Sequence, residues 1–221
     1  MNPDSRANYK RLAKAFISRI SRGDFLSTLY LVYFYIYLLL YDYRMKTTFA
    51  KSSRPQPSIT GKDGTGNFPI HPNVVRGFLK NAAFPLGVKI MDIGSGSGMA
   101  LHVMYQEGYK NLCGIELNPL VAAASERNLP VDIKIIQGNA IDLNLEALAV
   151  ECIFMFNPFR GETLKAFLKK IPVTVKTVIA INCDPLLPSV LVAKNFKVKH
   201  AYKSRIYKNF SGQIWEINSE T

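Results

Sequence analysis

A glycine-rich segment has the residue types and the spacing of a ligand-binding loop. It reads Asp92-Ile93-Gly94-Ser95-Gly96-Ser97-Gly98, follows a short apolar run and leads directly into a helical pattern. Glycines let the backbone turn sharply and approach a ligand, and the N-terminus of the following helix offers free N–H groups. The segment therefore predicts a binding loop between a strand and a helix, although such a loop alone does not specify its ligand.

Two acidic residues narrow the chemistry of that ligand. Asp92 stands immediately before the glycines, where its carboxylate suits a positively charged group and repels a pyrophosphate. Met99 occupies the position at which a dinucleotide-binding fingerprint has its third glycine, so an NAD-dependent oxidoreductase fits poorly. Glu116 ends the next apolar run, where a carboxylate can accept hydrogen bonds from two ribose hydroxyls. The pattern favours a nucleoside that carries a positive charge.

A second segment with candidate chemistry is Asn157-Pro158-Phe159, which follows the apolar run Ile153–Phe156. Asn and Pro commonly form a turn after a strand, and that is the simplest interpretation. However, open α/β sheets place their ligands at the carboxyl ends of strands. There the Asn157 side-chain oxygen and the backbone oxygen before proline can accept N–H hydrogens, and Phe159 can stack on a planar group.

Short apolar runs alternate with helical stretches from about residue 73 onwards, which predicts a mostly parallel sheet with helices on both faces. Two final strands with a short connection predict an antiparallel pair. The predicted strands are Val88–Ile93, Asn111–Glu116, Asp132–Gln137, Cys152–Phe156, Thr174–Ile181, Phe196–Tyr202 and Gln213–Ile217. The predicted helices are Val74–Asn81, Met99–Glu107, Pro119–Arg127 and Glu162–Lys170.

These motifs resemble those of class I S-adenosylmethionine (SAM) dependent methyltransferases. DIGSGSG is similar to the first motif of that family, and GIELNP is similar to its acidic loop after the second strand. Asn139-Ala140 is similar to the family's adenine-binding Gly-Asp-Ala segment, with Asn in place of Asp; Asp142 is either a further adenine contact or a helix N-cap. The Asn-Pro-Phe segment resembles, with one proline fewer, the signature of enzymes that methylate amino or amide nitrogen.

The resemblance implies a fold, a cofactor and a set of site residues. The fold is a Rossmann-like, seven-stranded, mostly parallel sheet with an antiparallel C-terminal strand. From about Tyr41 to the C-terminus the chain is similar to a mostly bacterial subgroup of such enzymes whose substrate is unassigned. The implied cofactor-binding residues are Asp92, Gly94, Ser95, Gly96, Gly98, Glu116, Asn139 and Ala140, and the implied catalytic residues are Asn157, Pro158 and Phe159.

Two alternatives to methylation of a protein or small molecule stay open at this stage. The sequence has a net charge of +12 and an isoelectric point near 9.6, which is consistent with methylation of a nucleic acid. However, residues 1–62 contain eleven Lys and Arg against three acids, and the remainder contains seventeen against thirteen. The other alternative is a membrane-associated, SAM-binding scaffold without catalysis.

The N-terminal part predicts a basic and hydrophobic helical segment. Residues 25–41 carry no charged side chain, and residues 10–20 alternate basic and apolar positions. A short membrane span, a helix lying on a membrane surface and a helix packed on the catalytic domain are all consistent with this pattern. Residues 51–70 are rich in Ser, Pro and Gly and predict a linker or a loop over the site. We thus divide the chain into residues 1–50, 51–70 and 71–221.

The remaining composition predicts a cytoplasmic protein, either free or attached to a membrane. Three isolated cysteines, Cys113, Cys152 and Cys183, lie in or next to apolar runs and are expected to be reduced. The cysteines and the three histidines form no cluster with metal-ligand spacing, so we predict no metal site.

Overall fold

The structure is a computed structural model that describes residues 25–52, 63–64, 66–203 and 211–218. The basic and apolar pattern at residues 10–20 and most of the predicted linker lie outside these residues. The strands are β1 (Ile90–Ile93), β2 (Leu112–Glu116), β3 (Lys134–Gln137), β4 (Cys152–Phe156), β5 (Thr177–Ile181), β6 (Phe196–Lys203) and β7 (Ser211–Ile217). The helices are α1 (Phe25–Met45), α2 (Phe49–Ser52), α3 (Pro72–Ala82), α4 (Met99–Gln106), α5 (Pro119–Asn128), α6 (Gly161–Lys169) and α7 (Leu187–Ala193).

The seven strands form one sheet in the order β3-β2-β1-β4-β5-β7-β6. Neighbours from β3 to β5 are parallel, whereas β7 is antiparallel to both β5 and β6. The predicted fold class and the closing antiparallel pair are therefore confirmed. The strand order reverses between β1 and β4, and open α/β sheets bind their ligands at such a switch point.

The central strands are buried on both faces, which explains their continuous apolar sequences. One face of the sheet packs against α3 and α4, and the other packs against α6 and α7. Helix α7 is absent from the sequence prediction. β1 and β5 begin two or three residues later than predicted, because Val88 and Val175 instead close turns onto Pro85 and Pro172.

The helix α1 covers the same face of the sheet as α3 and α4. Its side chains Phe34, Leu38 and Tyr41 are buried in that layer of the core, and the Tyr41 hydroxyl donates to the Gln106 side chain at 2.9 Å. Of the three interpretations of the N-terminal segment, the structure shows the third, in which the helix packs on the domain that contains the sheet. Within the described ranges, no helix combines the length and the apolar character that a bilayer crossing requires.

The short helix α2 is held at its start by one carboxylate. Lys46 adopts a positive φ of 55°, which ends α1, and the chain then turns back on Asp42. The Asp42 carboxylate accepts hydrogen bonds from the Phe49 and Ala50 N–H groups, both at 2.8 Å, and from the Thr47 hydroxyl at 2.7 Å. An acid is favoured there because helix N-termini carry unsatisfied N–H groups.

Candidate active site

Three adjacent strands are each followed by a residue with a positive φ at the carboxyl edge of the sheet. Gly94 follows β1 with φ 71°, Asn157 follows β4 with φ 45° and Asn182 follows β5 with φ 52°. Glycine and asparagine are the residue types that most readily adopt positive φ. The chain therefore turns sharply at three neighbouring points, which places the loops after β1, β4 and β5 side by side.

The glycine-rich loop is fixed by backbone hydrogen bonds to the end of β2. The Gly94 and Ser95 N–H groups both donate to the Ile115 carbonyl at 2.9 Å. The Gly96 N–H donates to Glu116 Oε2 at 3.0 Å, and the Asn118 N–H donates to Glu116 Oε1 at 2.9 Å. Glu116, the residue predicted to bind the ribose, is thus already oriented by its hydrogen bond to the glycine-rich loop. The same loop is predicted to bind the nucleoside.

Each glycine of this loop is required by a different neighbouring residue that leaves no room for a side chain. A Cβ on Gly94 would lie 2.5 Å from the Pro158 Cβ, so this glycine lets the loops after β1 and β4 touch. A Cβ on Gly98 would lie 2.5 Å from the Ser125 hydroxyl and 2.9 Å from Leu129 Cδ1, so this glycine lets α4 start against α5. A Cβ on Gly96 would lie 2.5 Å from Asn67 Oδ1. All three glycines permit a close approach of another segment, but Gly94 is exposed and Gly96 is half-buried, whereas Gly98 is buried.

Ser95 turns its side chain away from the open edge. The side chain is buried, and its Cβ and hydroxyl lie over Gly114 of β2, where an added Cβ would approach both to 2.9 Å. The contribution of Ser95 to a ligand site would therefore come from its backbone.

Asp92 and Glu116 place two carboxyl groups at the ends of neighbouring strands. Asp92 is only 3% exposed. Burial, and secondarily repulsion by Glu116, raise the pKa of Asp92 to about 8. Burial also raises the pKa of Glu116, although the hydrogen bonds that it accepts from the Asn118 and Gly96 N–H groups act in the opposite direction. A nearby cation would stabilise the charged form of two neighbouring carboxyl groups in such a low-dielectric site.

The predicted adenine segment lies after β3. Asn139 is exposed, and its side-chain oxygen accepts the Ile141 N–H at 3.2 Å, so it caps the short 3₁₀ helix Ala140–Asp142. Ala140 is buried beneath this turn. The cap is therefore Asn139 and not Asp142, which is exposed in the first turn.

Asn157, Pro158 and Phe159 are brought to the glycine-rich loop by β4. The Asn157 N–H donates to the Ile181 carbonyl at 2.9 Å, and its side-chain oxygen accepts from Arg160 Nε at 3.2 Å. Pro158 lies against Gly94. The Phe159 ring packs edge-on against Phe167 at 5.5 Å, towards the core below α6, so Asn157 and Pro158 are the members of the segment nearest the open edge.

Two aspartates hold the loop after β4 in place. Asp63 accepts the Thr163 hydroxyl at 2.9 Å, its carbonyl accepts the Arg160 N–H, and Gly64 pairs with Phe159. Asp184 accepts the Gly161 and Leu186 N–H groups at 3.1 and 3.0 Å, and these bonds lower its pKa. The described end of the predicted 51–70 loop therefore lies against the candidate catalytic segment.

Sequence reasoning missed two asparagines that support the glycine-rich loop. The Asn128 side chain donates to the Ser97 carbonyl at 3.0 Å and accepts the Thr48 N–H and hydroxyl, both at 2.9 Å. The Asn67 side chain donates to the Ser52 carbonyl at 2.7 Å, next to Gly96. Both residues connect the N-terminal helices to the loop, and the sequence carries no local pattern that marks either of them.

A cavity of about 410 Å³ opens where β5 and β6 end and β7 begins. It is lined in part by Asn182, Cys183, Tyr202 and Gln213. Cys183 is half-buried and lies next to the Asn157 backbone, and burial raises the pKa of its thiol to about 11. The thiol is therefore neutral near pH 7. No group of His, Cys, Asp and Glu suited to a metal occurs in the part of the chain that the structure describes.

One family model matches part of the chain. Residues 91–172, less than half of the chain, match the model of a methyltransferase domain family. A search of the curated proteins finds no match. The matched residues extend from β1 through α6 and include both the glycine-rich loop and Asn157–Phe159.

Solved structures share the fold at low sequence identity. A Rossmann-superfamily protein from Streptococcus agalactiae has a TM-score of 0.54 at 16% identity, over 70% of this chain and 72% of that chain. The methyltransferase domain of bacterial CtHen1-C has a TM-score of 0.55 at 13% identity, over 67% and 97%. A ribosomal protein L11 methylase from Lactobacillus delbrueckii subsp. bulgaricus has a TM-score of 0.52 at 16% identity, over 66% and 78%.

Proposed function

We propose that this protein transfers the methyl group of SAM to an acceptor bound beside Asn157. The observation that carries the proposal is the buried Asp92 carboxyl group beside the half-buried Glu116 carboxyl group, where both meet a glycine-rich loop at the switch point of the sheet. SAM carries a sulfonium and an ammonium group, so its charge suits this pair, whereas a pyrophosphate does not. The two carboxyl groups and the exposed backbone at Gly94 fit this cofactor.

Each residue has a separate task in this proposal. Asp92 would pair with the ammonium group of the amino acid moiety, Glu116 would accept hydrogen bonds from the ribose hydroxyls, and the segment from Asn139 to Ala140 would border the adenine. When bound, SAM supplies a methyl group that its positive sulfur already activates. The protein then needs chiefly to align the acceptor and exclude water.

Asn157 and Pro158 would orient the acceptor. The Asn157 side-chain oxygen and its backbone carbonyl are hydrogen-bond acceptors, which suits an acceptor that presents N–H groups. Two nearby groups able to ionise are poor general bases: the Cys183 thiol is neutral near pH 7, and the Asp184 carboxylate is engaged by two N–H groups. An amino or amide nitrogen that is held in position, and not deprotonated by a base, fits these surroundings.

Calorimetric titration of SAM tests the cofactor site. Asp92→Asn and Glu116→Gln keep the side-chain shapes but remove the charges, and we expect each to weaken SAM binding at least about 10-fold. Glu146→Gln removes an exposed acid after β3 and serves as the matched control, with no change expected. If the double variant Asp92→Asn/Glu116→Gln bound SAM as tightly as the wild type, the proposed site would be wrong.

Methyl transfer itself requires a second experiment. Incubation of the wild type with radioactive methyl-SAM and fractionated cell extract is expected to label one class of acceptor, and the Asp92→Asn/Glu116→Gln variant is expected to label none. Tight SAM binding without labelling of any fraction would instead favour a binding protein without catalysis.

A further inference from the structure

The helix α1 has two apolar faces, and the part of the chain that the structure describes covers only one of them. The inner face carries the buried residues Phe34, Leu38 and Tyr41. The opposite face presents eight of the seventeen exposed large apolar side chains in the part of the chain that the structure describes. They are Leu29, Val32, Tyr33, Tyr35, Ile36, Leu39, Leu40 and Tyr43. We call this set the outer face of α1.

The outer face is unusually apolar for a surface exposed to water. Ile36 is 52% exposed, Leu40 is 66% exposed and Tyr43 is 89% exposed. A helix that is apolar all round is normally buried all round. Contiguous exposed apolar surfaces of this kind mark sites of contact with a protein or a membrane, whereas single exposed apolar residues do not.

Charge complementarity identifies the kind of surface that covers this face. Residues 1–24 contain six Lys and Arg against two acids, and Arg44, Lys46 and Lys51 follow at the other end of the helix. The one acid within α1, Asp42, is occupied by the N-terminus of α2. An apolar strip between two basic segments is complementary to an anionic bilayer, and the same charges oppose contact between two copies of this chain.

Chemistry along the helix favours the bilayer interface. Three of the eight exposed side chains, Tyr33, Tyr35 and Tyr43, combine an apolar ring with a hydroxyl, and such side chains are enriched where lipid tails meet headgroups. Because Phe34, Leu38 and Tyr41 are committed to the protein core, the helix can offer a membrane only its opposite side.

We infer that α1 is an interfacial membrane anchor: its inner face is part of the protein core, and its outer face inserts among the headgroups of an anionic bilayer. The catalytic domain is thereby held directly against the membrane surface. This inference does not depend on the methyl-transfer proposal.

Flotation of the full-length protein with lipid vesicles tests the inference. The two vesicle types are pure phosphatidylcholine and phosphatidylcholine containing about one third phosphatidylglycerol, an anionic lipid. We expect the protein to float with the anionic vesicles at least about 10-fold more strongly than with the neutral ones, and less strongly at high salt. Equal flotation with both, or none with the anionic vesicles, would overturn the inference.

Matched variants locate the binding surface. Ile36→Glu/Leu40→Glu places two charges on the outer face and is expected to reduce flotation at least about 10-fold. Val173→Glu/Val192→Glu introduces the same change at two exposed apolar positions elsewhere, 74% and 61% exposed, and is expected to leave flotation unchanged. An equal loss in both variants would place the lipid contact elsewhere. Thermal unfolding of both variants establishes that they are folded.

Light scattering in the absence of vesicles tests whether a second copy of this chain covers the outer face instead of a membrane. We expect the wild type to be no larger than the Ile36→Glu/Leu40→Glu variant. A wild-type dimer that becomes a monomer in this variant would show that a second copy covers the outer face, and would overturn the membrane assignment.

Discussion

At the scale of single residues, Asp92 shows how a binding function opposes stability. Its carboxyl group is buried between strands and beside another acid, and burial raises its pKa to about 8. Such a group is costly to ionise in the free protein and is stabilised when a cation arrives. The same desolvation that weakens the fold therefore increases the attraction for a positively charged ligand.

The affinity for SAM should depend on pH through Asp92. A bound cation lowers the pKa of Asp92 below its value of about 8 in the free protein, so binding releases a proton below that pH. We expect the Kd for SAM to increase as pH falls from about 8, by up to about 10-fold per pH unit. Calorimetry at pH 6.5 and 8.5 measures the change. In Asp92→Asn the dependence should flatten, and an equal slope in both proteins would contradict the role of Asp92.

The stability of the ligand-free protein should respond to Asp92 in the opposite sense. Because the pKa is raised in the folded state, the contribution of this group to stability is present below pH 4 and is lost as pH rises towards about 8. At pH 8.5, Asp92→Asn is therefore expected to raise the free energy of unfolding by about 1 kcal/mol or more, equivalent to an increase in Tm of about 2–4 °C. Thermal unfolding monitored by circular dichroism measures this, and a lower Tm at pH 8.5 would contradict it.

At the scale of elements, the site depends on the turns that follow β1, β4 and β5. Gly94, Asn157 and Asn182 each have a positive φ, and Gly94 lies against Pro158. The two asparagines differ in what their amides do: Asn157 accepts from the exposed Arg160, whereas Asn182 accepts the Ser211 N–H and so fastens β7. We therefore expect the Asn157 amide to contact the methyl acceptor, whereas the Asn182 amide holds β7 in place.

Substitution of Asn157 separates the contribution of its side-chain amide to catalysis from that of its backbone conformation. Glycine keeps the positive φ and removes the amide, so we expect Asn157→Gly to lower kcat/KM for methyl transfer about 10- to 100-fold with little change in SAM affinity. Asn182→Gly is the matched control, and its kcat/KM should change less. Full activity of Asn157→Gly would mean that only the backbone conformation matters at this position.

Asn128 connects the N-terminal helices to the glycine-rich loop. Its amide is buried and connects Thr48 to Ser97 through three hydrogen bonds. We expect Asn128→Ala to lower the free energy of unfolding by about 2–4 kcal/mol, since buried N–H and carbonyl groups lose their partners, and also to weaken SAM binding.

Asn111→Ala provides the comparison for Asn128→Ala. The Asn111 amide is exposed and donates to the Gly87 carbonyl at 3.3 Å, so its loss should change stability by less than about 0.5 kcal/mol. Urea unfolding measures both variants. Equal effects would show that burial of the Asn128 network adds nothing.

At the scale of the whole molecule, α1 and α2 complete one layer of the core. Phe34, Leu38, Tyr41 and Phe49 pack in the same layer as α3 and α4, and His71 stacks on Tyr37 at 4.6 Å. The N-terminal helices are therefore part of the layer that covers the sheet, and through Asn128 they are also connected to the candidate site.

Two leucines two positions apart test this arrangement. Leu38 is 2% exposed and Leu40 is 66% exposed. Leu38→Ala is expected to lower the free energy of unfolding by about 2–5 kcal/mol because it leaves a cavity, whereas Leu40→Ala should change it by less than about 0.5 kcal/mol. Urea unfolding in the absence of lipid measures both values. Similar values for the two variants would mean that α1 does not pack as described.

Local sequence patterns were sufficient to predict the strands of the sheet and the turn at the glycine-rich loop. The apolar runs predicted all seven strands, and the Gly-rich segment after β1 predicted a turn into a helix. Such features depend on neighbours a few residues away, so periodicity and residue type carry them. The roles of Asp92, Glu116 and Asn157 in binding stay predictions that the experiments above address.

Tertiary structure alone decided which distant residues meet. The approach of Gly94 to Pro158 and the bonds of Asn128 to Thr48 join segments roughly 60 to 80 residues apart, and no local pattern encodes such pairs. The same holds for α1. Its sequence is apolar on every side, so only the packing of the sheet and of α4 determined which face is buried and which is exposed.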